Sequence, residues 1–396
     1  MATKAGAPEI NLLDREFWRS RQHEAWTWAR ANEPVYFDEH SGIWAITKHA
    51  DILYCERNDE LFSSEGSYRL NPSPGEANMI AADEPQHLKQ RRLINKGFTP
   101  SAVDKWNPHF DKMLDEMIGA VGTGGECEVV TSLAGQLPAR FTCALLGLPD
   151  EQWPVVKVWS EQLMRIDAMT FDQDSITGMM ESNQQIYMTL AEKVPEARGC
   201  PAGDGLISKW AHSVIDDQPM SDEQIHHETG LFVAGGAETT RTAIANGLRA
   251  FCDHNDQWEM LYDDPSRLIT AVDEVLRWVT PLNNMFRRVT ADTEVHGVKL
   301  KAGDRLALVY PSGNRDEDVF DEPFRFDITR DPNPHVAFGY GTHFCIGRNF
   351  ARRELEMLFG KLAQAWTNLR VIEEIDVEPN IFAPAVRRFV LGFDPR

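Results

Sequence analysis

A single cysteine lies among glycines in the segment Phe338–Gly347. Glycine has no Cβ, so Gly339, Gly341 and Gly347 would let a loop fold tightly around one sulfur and let a flat ligand approach closely. Apolar residues then recur at three- and four-residue spacing, which predicts a helix with one buried face: Ala351, Leu355, Leu358, Phe359, Leu362 and Trp366. Cys345 would lie at the N-terminus of that helix, where unpaired N–H groups and the helix dipole favour an anion. Because the thiolate is the form of cysteine that binds metal, the segment predicts a metal-bound thiolate.

The other cysteines do not indicate a second site. None has the close paired spacing of a zinc site, and the set does not form a disulfide pattern. We expect each of them to be a small buried hydrophobe: Cys55, Cys127, Cys143, Cys200 and Cys252. Cysteines without disulfide spacing favour a reducing compartment.

The pattern Phe338-x-x-Gly341-x-His343-x-Cys345-x-Gly347 resembles the haem-binding loop of the cytochrome P450 family at every position that defines the loop. The resemblance implies haem b as the cofactor, with Cys345 as the iron ligand and with Phe338, Gly339, His343 and Gly347 beside it. A cysteine thiolate on haem iron favours O–O cleavage. It also implies a mainly α fold of the cytochrome P450 type. In that fold a large helical region accompanies a smaller β-rich lobe, and the haem lies between the long central helix and the cysteine-loop helix.

Length and charge limit the remaining possibilities. The chain has 396 residues and a net charge of −21. No repeat or long linker divides it, so we expect one domain over residues 1–396. Phosphate binding needs clustered Lys and Arg, and the acidic excess argues against a nucleic-acid partner. No apolar run is long enough to predict a membrane span, and we expect a cytoplasmic protein resembling the soluble bacterial members of the family.

A long helix is predicted to begin near Ser221. Ser221 and Gln224 have the spacing of a capping box, which satisfies exposed N–H groups at a helix start. Residues 230–251 are apolar on nearly all sides, which is typical of a helix that crosses the interior. Gly235 and Gly236 lie within it and cost about 1 kcal/mol each relative to alanine, so a function for them is expected.

Glu238 and Thr239 follow these glycines. A buried carboxylate must find partners, and the pair could also be a solvated Glu–Thr pair at a helix kink. The segment resembles the Gly-x-acid-Thr oxygen-activation motif of the P450 family, with Glu in place of Asp. The resemblance implies that Glu238 and Thr239 are catalytic and deliver protons through water.

Glu274 and Arg277 are spaced i, i+3 on a predicted helix. Most such pairs are exposed and contribute only a few tenths of a kcal/mol. Resemblance to the family implies instead a buried pair that Arg325 joins in a structural role. Removal of one partner from a buried pair typically costs about 3–5 kcal/mol.

Basic and imidazole side chains could hold the haem propionates. His87 and Arg91 are spaced i, i+4 and share a helix face, which could also be a solvated basic face. The resemblance implies that His87, Arg91, Arg287 and His343 contact the propionates.

Electrons must come from elsewhere, since the chain shows no glycine-rich dinucleotide fingerprint. Resemblance to soluble bacterial members implies a ferredoxin and an NAD(P)H-dependent ferredoxin reductase as partners. Positive charge concentrates on the cysteine side and could steer an acidic ferredoxin there: Lys89, Arg91, Arg92, Lys96, Arg348, Arg352 and Arg353.

The substrate pocket is expected to be apolar, which favours a hydrophobic substrate. By analogy with the family its walls would include Met79, Met169, Phe171, Phe232, Val233, Met285 and Phe382. The segments Met79–His87, Leu93–Phe98, Asn284–Met285 and Ala337–Cys345 resemble the actinobacterial steroid side-chain monooxygenases, which oxidise the terminal methyl group of cholesterol or cholestenone.

Three alternatives stay open. The substrate could be a fatty acid, a terpenoid or another small apolar or aromatic molecule. The protein could bind haem as a sensor without catalysis, although a sensor would not require Thr239 in a glycine-containing helix. It could use peroxide directly, against which the Glu238–Thr239 pair argues, because peroxide-using members usually replace that pair.

Overall fold

The computed structural model describes residues 8–72, 75–165 and 173–396. Over these residues the chain forms fourteen α-helices. They are α1 (Gln22–Asn32), α2 (His49–Arg57), α3 (Gln86–Ile94), α4 (Pro100–Val103), α5 (Asn107–Val121), α6 (Gln136–Leu146), α7 (Trp153–Met164), α8 (Gln173–Gly199), α9 (Leu206–Ala211), α10 (Asp222–Asp253), α11 (Asn255–Asp263), α12 (Leu268–Val279), α13 (Tyr310–Gly313) and α14 (Arg348–Ala365).

The strands of the described residues are short. They are β1 (Val35–Asp38), β2 (Ile43–Ile46), β3 (Phe62–Ser63), β4 (Glu126–Glu128), β5 (Val214–Ile215), β6 (Gln218–Pro219), β7 (Asn284–Val289), β8 (Thr293–Val295), β9 (Val298–Leu300), β10 (Arg305–Val309), β11 (Trp366–Val371), β12 (Asp376–Glu378), β13 (Ala385–Arg388) and β14 (Val390–Pro395).

The main sheet has five strands in the order β1-β2-β10-β7-β3. Strand β10 pairs parallel with β2, and the other neighbours pair antiparallel. A second sheet has the order β11-β14-β4, and β5–β6, β8–β9 and β12–β13 are two-stranded. The mainly α fold with a smaller β region is therefore confirmed.

Helix α10 crosses the helical region, as its sequence predicts. Both bonds of the capping box at Ser221 and Gln224 are present, so the start of the helix is satisfied by its own side chains. Helices α6, α7, α8 and α12 all pack against α10. Its buried positions run from Ile225 to Phe251 and cover every side of the helix. A helix surrounded in this way provides a fixed wall for any cavity beside it.

Three groups of buried apolar residues hold the fold together. The largest joins α5, α6, α10, α12 and α14, and two smaller groups lie against the main sheet. Burial of apolar area stabilises such cores by roughly 25 cal/mol per Å². Among the helices of the described residues, none has the length and apolar character that crossing a membrane requires.

Candidate active site

A cavity lies between α10 and the segment that leads into α14. Its walls come from α3, α6, α10, β7, the residues before α14 and the loop that contains Phe382. Cys345, Thr239, Gly235 and Arg287 all line it. Residues that are far apart in the sequence and that carry most of the predicted chemistry therefore meet in one space.

The cysteine loop presents Cys345 to this cavity just before α14. The Cys345 N–H donates to the Phe338 carbonyl at 3.0 Å, which closes the loop, and Gly347 is the N-cap of the helix. Burial raises the pKa of the Cys345 thiol, while hydrogen bonding from the Gly347 backbone and the charges of Arg91 and Arg348 act in the opposite direction. The hydrogen bond and the charges near the start of the helix therefore do not lower the pKa of Cys345 enough to offset the effect of burial. A cation at the sulfur would hold the thiolate, which suits a metal ligand.

The loop glycines have distinct reasons for being glycine. Gly339 and Gly341 have φ of 65° and 66°, in the left-handed region that other residues rarely adopt. A Cβ on Gly341 would lie 2.1 Å from the Glu56 carbonyl oxygen, so any side chain there would push the loop away from α2. Gly339 and Gly347 line the cavity together with Phe338. These three predicted cofactor-side positions are thus at the cavity surface.

The four predicted propionate ligands converge on this cavity. His87, Arg91, Arg287 and His343 all line it, and the rings of His87 and His343 have centroids 4.3 Å apart. His87 is 1% exposed, and its Nδ1 lies 2.9 Å from Glu84. Its buried Nε2 has no partner in the protein. An unsatisfied buried polar atom of this kind marks a site that an additional hydrogen-bonding group would complete.

The charge of the cluster is positive. Burial, together with the charges of Arg287, His87 and Arg91, lowers the pKa of His343 well below its usual value. Arg91 donates to the Phe344 carbonyl and so ties α3 to the cysteine loop. Cations and imidazoles gathered in a buried space favour an anionic ligand, and the carboxylates of haem suit them.

Arg287 has a protein partner that sequence reasoning missed. Its guanidinium lies 2.8 Å from Glu56, and the Tyr310 hydroxyl donates to the same carboxylate. Burial alone would lower the pKa of Arg287, but the neighbouring Glu56 raises it above its usual value. Glu56 and Tyr310 both line the cavity. The sequence offered no signal for them, because α2 and α13 carry no motif.

The opposite wall is the middle of α10. The Thr239 hydroxyl donates to the Gly235 carbonyl at 2.9 Å, within the helix, and both residues line the cavity. A Cβ on Gly236 would lie 2.9 Å from the Thr142 hydroxyl, so this glycine also permits close packing against α6. A Cβ on Gly235 would meet no atom within 4 Å, because this glycine faces the open space of the cavity.

Glu238 is buried and forms an ion pair rather than lining the cavity. Its carboxylate lies 2.6 Å from Arg241 and accepts from the Ser160 hydroxyl at 3.2 Å. Burial raises the pKa of Glu238, and the charge of Arg241 opposes this. Arg241 continues to Glu161 at 2.5 Å, and Glu161 lies 2.5 Å from Lys157, which is 23% exposed. A chain of ionisable groups therefore leads from beside Thr239 toward the surface.

The predicted pocket residues divide into three groups. Met79, Phe232, Met285 and Phe382 line the cavity. Val233 was predicted to line it and does not: it is fully buried in the helical core. Successive helix residues point about 100° apart, so a helix that turns Phe232 to the cavity turns Val233 away. Met169 and Phe171 lie outside the described residues.

The buried pair of Glu274 and Arg277 is present, but its third member was predicted wrongly. Both side chains are 0% exposed and 2.7 Å apart. Arg330, not Arg325, approaches Glu274 at 3.2 Å. The Arg325 guanidinium is 60% exposed and pairs with Glu322, while the Arg325 carbonyl accepts from Arg277. The backbone of that loop, rather than the predicted side chain, faces the pair.

Several predicted surface cations are already paired. Lys89 contacts Asp216, Arg352 contacts Asp273 and Arg353 contacts Asp104, at 2.6, 2.8 and 2.8 Å. Arg348 stacks over Phe344 and donates to the Cys345 carbonyl. Arg92 and Lys96 are exposed. The six cysteines are all free. Cys55, Cys127 and Cys143 are buried as expected, whereas Cys252 is half-buried and Cys200 is exposed.

A thiol on one wall, a glycine-containing helix on the other and a cationic cluster at the edge form a cavity whose residues fit a haem. A sequence profile of the family described as cytochrome P450 matches residues 206–380. The chain is 39% identical to a steroid C26-monooxygenase of Mycolicibacterium smegmatis over 98% of its length and 97% of that protein. It is 37% identical to a steroid C26-monooxygenase of Mycobacterium tuberculosis over 98% and 96%.

Solved structures agree with these sequence matches. A Mycobacterium marinum cytochrome P450 in complex with pseudoionone superposes with a TM-score of 0.90 at 29% identity, covering 98% of this chain and all of that one. A Bacillus megaterium cytochrome P450 in complex with testosterone gives 0.87 at 26% identity, covering 96% and 99%. This chain belongs to the cytochrome P450 family and is a haem-dependent monooxygenase.

Proposed function

We propose that this monooxygenase hydroxylates the side chain of a sterol at its terminal carbon. The observation that carries the proposal is the 37–39% identity, over nearly the whole chain, to relatives named steroid C26-monooxygenase. The cavity supports it, because its walls beyond the cationic cluster are mostly apolar. A mostly apolar cavity with few polar groups suits a large hydrophobic substrate.

The proposed cofactor is haem b, with Cys345 as the iron ligand and His87, Arg91, Arg287 and His343 around the propionates. Haem with a thiolate ligand supplies the activation of dioxygen and favours O–O cleavage. The unpartnered Nε2 of His87 and the positive cluster beside it support this assignment. The protein's own part is to hold the thiolate, neutralise the carboxylates and exclude water.

Thr239 and Glu238 would manage the protons. The Thr239 hydroxyl donates its hydrogen bond to the Gly235 carbonyl, so its oxygen can still accept one. Glu238 is held by Arg241 and Ser160 at the head of the ionisable chain that reaches Lys157. We propose that Arg241 and Ser160 hold the Glu238 carboxylate in place, that Glu238 exchanges protons with water, and that water carries a proton from Glu238 to the Thr239 hydroxyl.

Electrons would arrive from NAD(P)H through a ferredoxin reductase and a ferredoxin. We propose that the ferredoxin docks at the exposed Arg92 and Lys96, because α3 is tied to the cysteine loop through Arg91 and Phe344. Arg92→Glu with Lys96→Glu should slow reduction at low salt and leave substrate binding intact. Arg370→Glu, at an exposed strand far along the chain, is the matched control. Equal reduction rates in all three proteins would contradict this docking face.

The unpaired cysteines support a reducing compartment, and we propose a cytoplasmic location for one catalytic unit over residues 1–396.

A substrate titration tests the proposed function. Cholestenone, a long-chain fatty acid and a small aromatic compound would each be added to the haem-containing enzyme, and the haem spin state would be followed by absorption spectroscopy. We expect a saturable shift with cholestenone, and a product hydroxylated at the terminal methyl group by mass spectrometry. A shift with the aromatic alone, or an unchanged spectrum with both lipids, would overturn the sterol assignment.

A further inference from the structure

The cavity that gathers cations for an anionic ligand also contains a carboxylate, that of Glu56. Glu56 is buried and lines the cavity together with Arg287. A buried carboxylate is costly to desolvate, and this one lies where the carboxylates of the proposed cofactor are also expected. Its placement therefore indicates a role beyond packing.

Both oxygens of the Glu56 carboxylate accept hydrogen bonds. Arg287 donates to Oε2 at 2.8 Å, and the Tyr310 hydroxyl donates to Oε1. The side chains of Arg287 and Glu56 are 4% and 2% exposed, so water and salt screen the pair only weakly. Burial alone would lower the pKa of Arg287, but the charge of Glu56 raises it above its usual value. The pair therefore keeps both charges within the cavity wall.

The Glu56 carboxylate also approaches the cysteine loop. A Cβ on Gly339 would lie 3.2 Å from Glu56 Oε1 and 3.4 Å from the Tyr310 hydroxyl. One carboxylate oxygen thus contacts Arg287, and the other lies beside the loop that carries Cys345. A fixed negative charge is therefore built in next to the predicted iron ligand.

Arg287 can still serve a second carboxylate. Its Nη2 donates to Glu56 and its Nη1 to the Phe286 carbonyl, at 2.8 Å each. A guanidinium has further N–H donors, so these two bonds leave donors for another anion. A cation that already has an anionic partner attracts a second carboxylate less strongly than an unpaired one does. Glu56 therefore limits the positive charge that Arg287 presents to the cavity.

We propose that Glu56, by pairing with Arg287, lowers the reduction potential of the haem and weakens the hold of the protein on the propionates. A fixed negative charge near the iron opposes the gain of an electron and so favours the ferric state. Glu56 is a positioning residue in this account, because it acts through Arg287 and its charge rather than on the reacting atoms. The inference rests on the proposed function, since it concerns the haem of that same site.

A potentiometric titration of the haem-containing protein, without substrate, tests the proposal. Dithionite supplies the single electron that each ferric haem takes up, and absorption follows the change. Glu56→Gln keeps the shape of the side chain and removes its charge. We expect its ferric–ferrous equilibrium to shift about tenfold toward the ferrous form, which is about 59 mV for one electron. Excess apomyoglobin should also extract haem from Glu56→Gln more slowly than from wild type.

Three further variants separate the charge of Glu56 from other effects. Glu56→Asp keeps the charge, and its potential should stay near that of wild type. Glu60→Gln removes the same charge at a nearby exposed position and should leave the potential unchanged. Tyr310→Phe removes a donor to Glu56 and leaves the charge less compensated, so its potential should fall below that of wild type.

The contradicting outcomes are distinct. An unchanged potential in Glu56→Gln, equal shifts in Glu56→Gln and Glu60→Gln, or faster haem loss from Glu56→Gln would each overturn the role of Glu56 and leave the proposed function intact. If Glu56→Gln does not fold, Tyr310→Phe decides, and a potential equal to or above that of wild type would overturn the proposal. If the wild type takes up no haem, the proposed function and this inference both fail.

Discussion

The two walls of the cavity are built in different ways. The cysteine wall, residues 338–347 with the start of α14, is one continuous segment whose backbone is fixed by glycines with positive φ and by the bond from Cys345 to Phe338. The substrate wall, which contains Arg69, Met79, Met285 and Phe382, is assembled from segments far apart in the chain. Chemistry common to a family can be confined to a rigid segment. Choice of substrate depends on how distant segments meet.

The largest expected effect concerns the buried cluster around Arg277, which holds the chain that precedes the cysteine wall. Arg277 donates to Glu274 and to three backbone carbonyls, including that of Arg325. Arg277→Met would leave buried acceptors without donors and should lower the free energy of unfolding by about 3–5 kcal/mol. Urea unfolding followed by far-ultraviolet circular dichroism measures this.

The matched control is Arg325→Met, whose side chain is exposed. We expect no measurable loss of stability from it. If the two variants were equally destabilised, the assignment of the buried cluster to Arg277, Glu274 and Arg330 would be wrong.

The second effect concerns the α10 wall, which lies opposite the cysteine wall. Thr239→Ala removes the hydroxyl that bonds to Gly235 and that we place in proton delivery. Product formed per NAD(P)H consumed should fall by about tenfold or more, since positioned proton transfer contributes roughly 10²–10⁴-fold to rates. Oxygen uptake, peroxide release and product are measured together.

Thr229→Ala is the control, because its hydroxyl also bonds within α10, four residues back, but it does not line the cavity. Full coupling in Thr239→Ala would contradict the proton-delivery assignment.

A third effect concerns how the substrate wall is attached to α10. Buried Glu228 accepts from the Met79 N–H at 2.9 Å, and burial raises its pKa to about 8 from 4.5. Between those values the folded state binds more protons than the unfolded state, so stability falls as pH rises. Glu228→Gln keeps a hydrogen-bond acceptor for the Met79 N–H and removes the loss of stability at high pH.

Glu228→Gln should therefore match wild type near pH 4.5 and be more stable at pH 8, by on the order of 4 kcal/mol. Thermal unfolding across this pH range measures the difference. Parallel stability curves for the two proteins would show that folding does not raise the pKa of Glu228. Glu223→Gln, on the first turn of α10, gives the exposed control.

The smallest effect distinguishes neighbouring helix positions. Val233→Ala removes core packing and should cost about 1 kcal/mol of stability without changing substrate affinity. Phe232→Leu alters the cavity surface and should change the affinity for cholestenone. A change in affinity with Val233→Ala and none with Phe232→Leu would reverse our assignment of the two faces.

The sequence predicted the cysteine loop, the helix after it and the start of α10, because the constraints on each are local. Glycine spacing, a helix start and a capping box are each visible within about ten residues, and the start of α10 at Ser221 is confirmed. Arg325 was predicted wrongly because the sequence gives the position of an arginine in a loop but not the direction of its side chain. Here its carbonyl, and not its side chain, contacts the buried pair. Glu56 and Arg69 were missed because only tertiary packing brings single charged residues of unremarkable segments to the cavity.

The central claim is that Cys345 provides a thiolate ligand to haem. The most direct measurement is the absorption spectrum of the reduced, carbon monoxide-bound protein for wild type, Cys345→Ala and the control Cys252→Ala. We predict the red-shifted band of a thiolate-ligated haem in the wild type and in Cys252→Ala, and its complete loss in Cys345→Ala. Retention of that band without Cys345 would contradict the account.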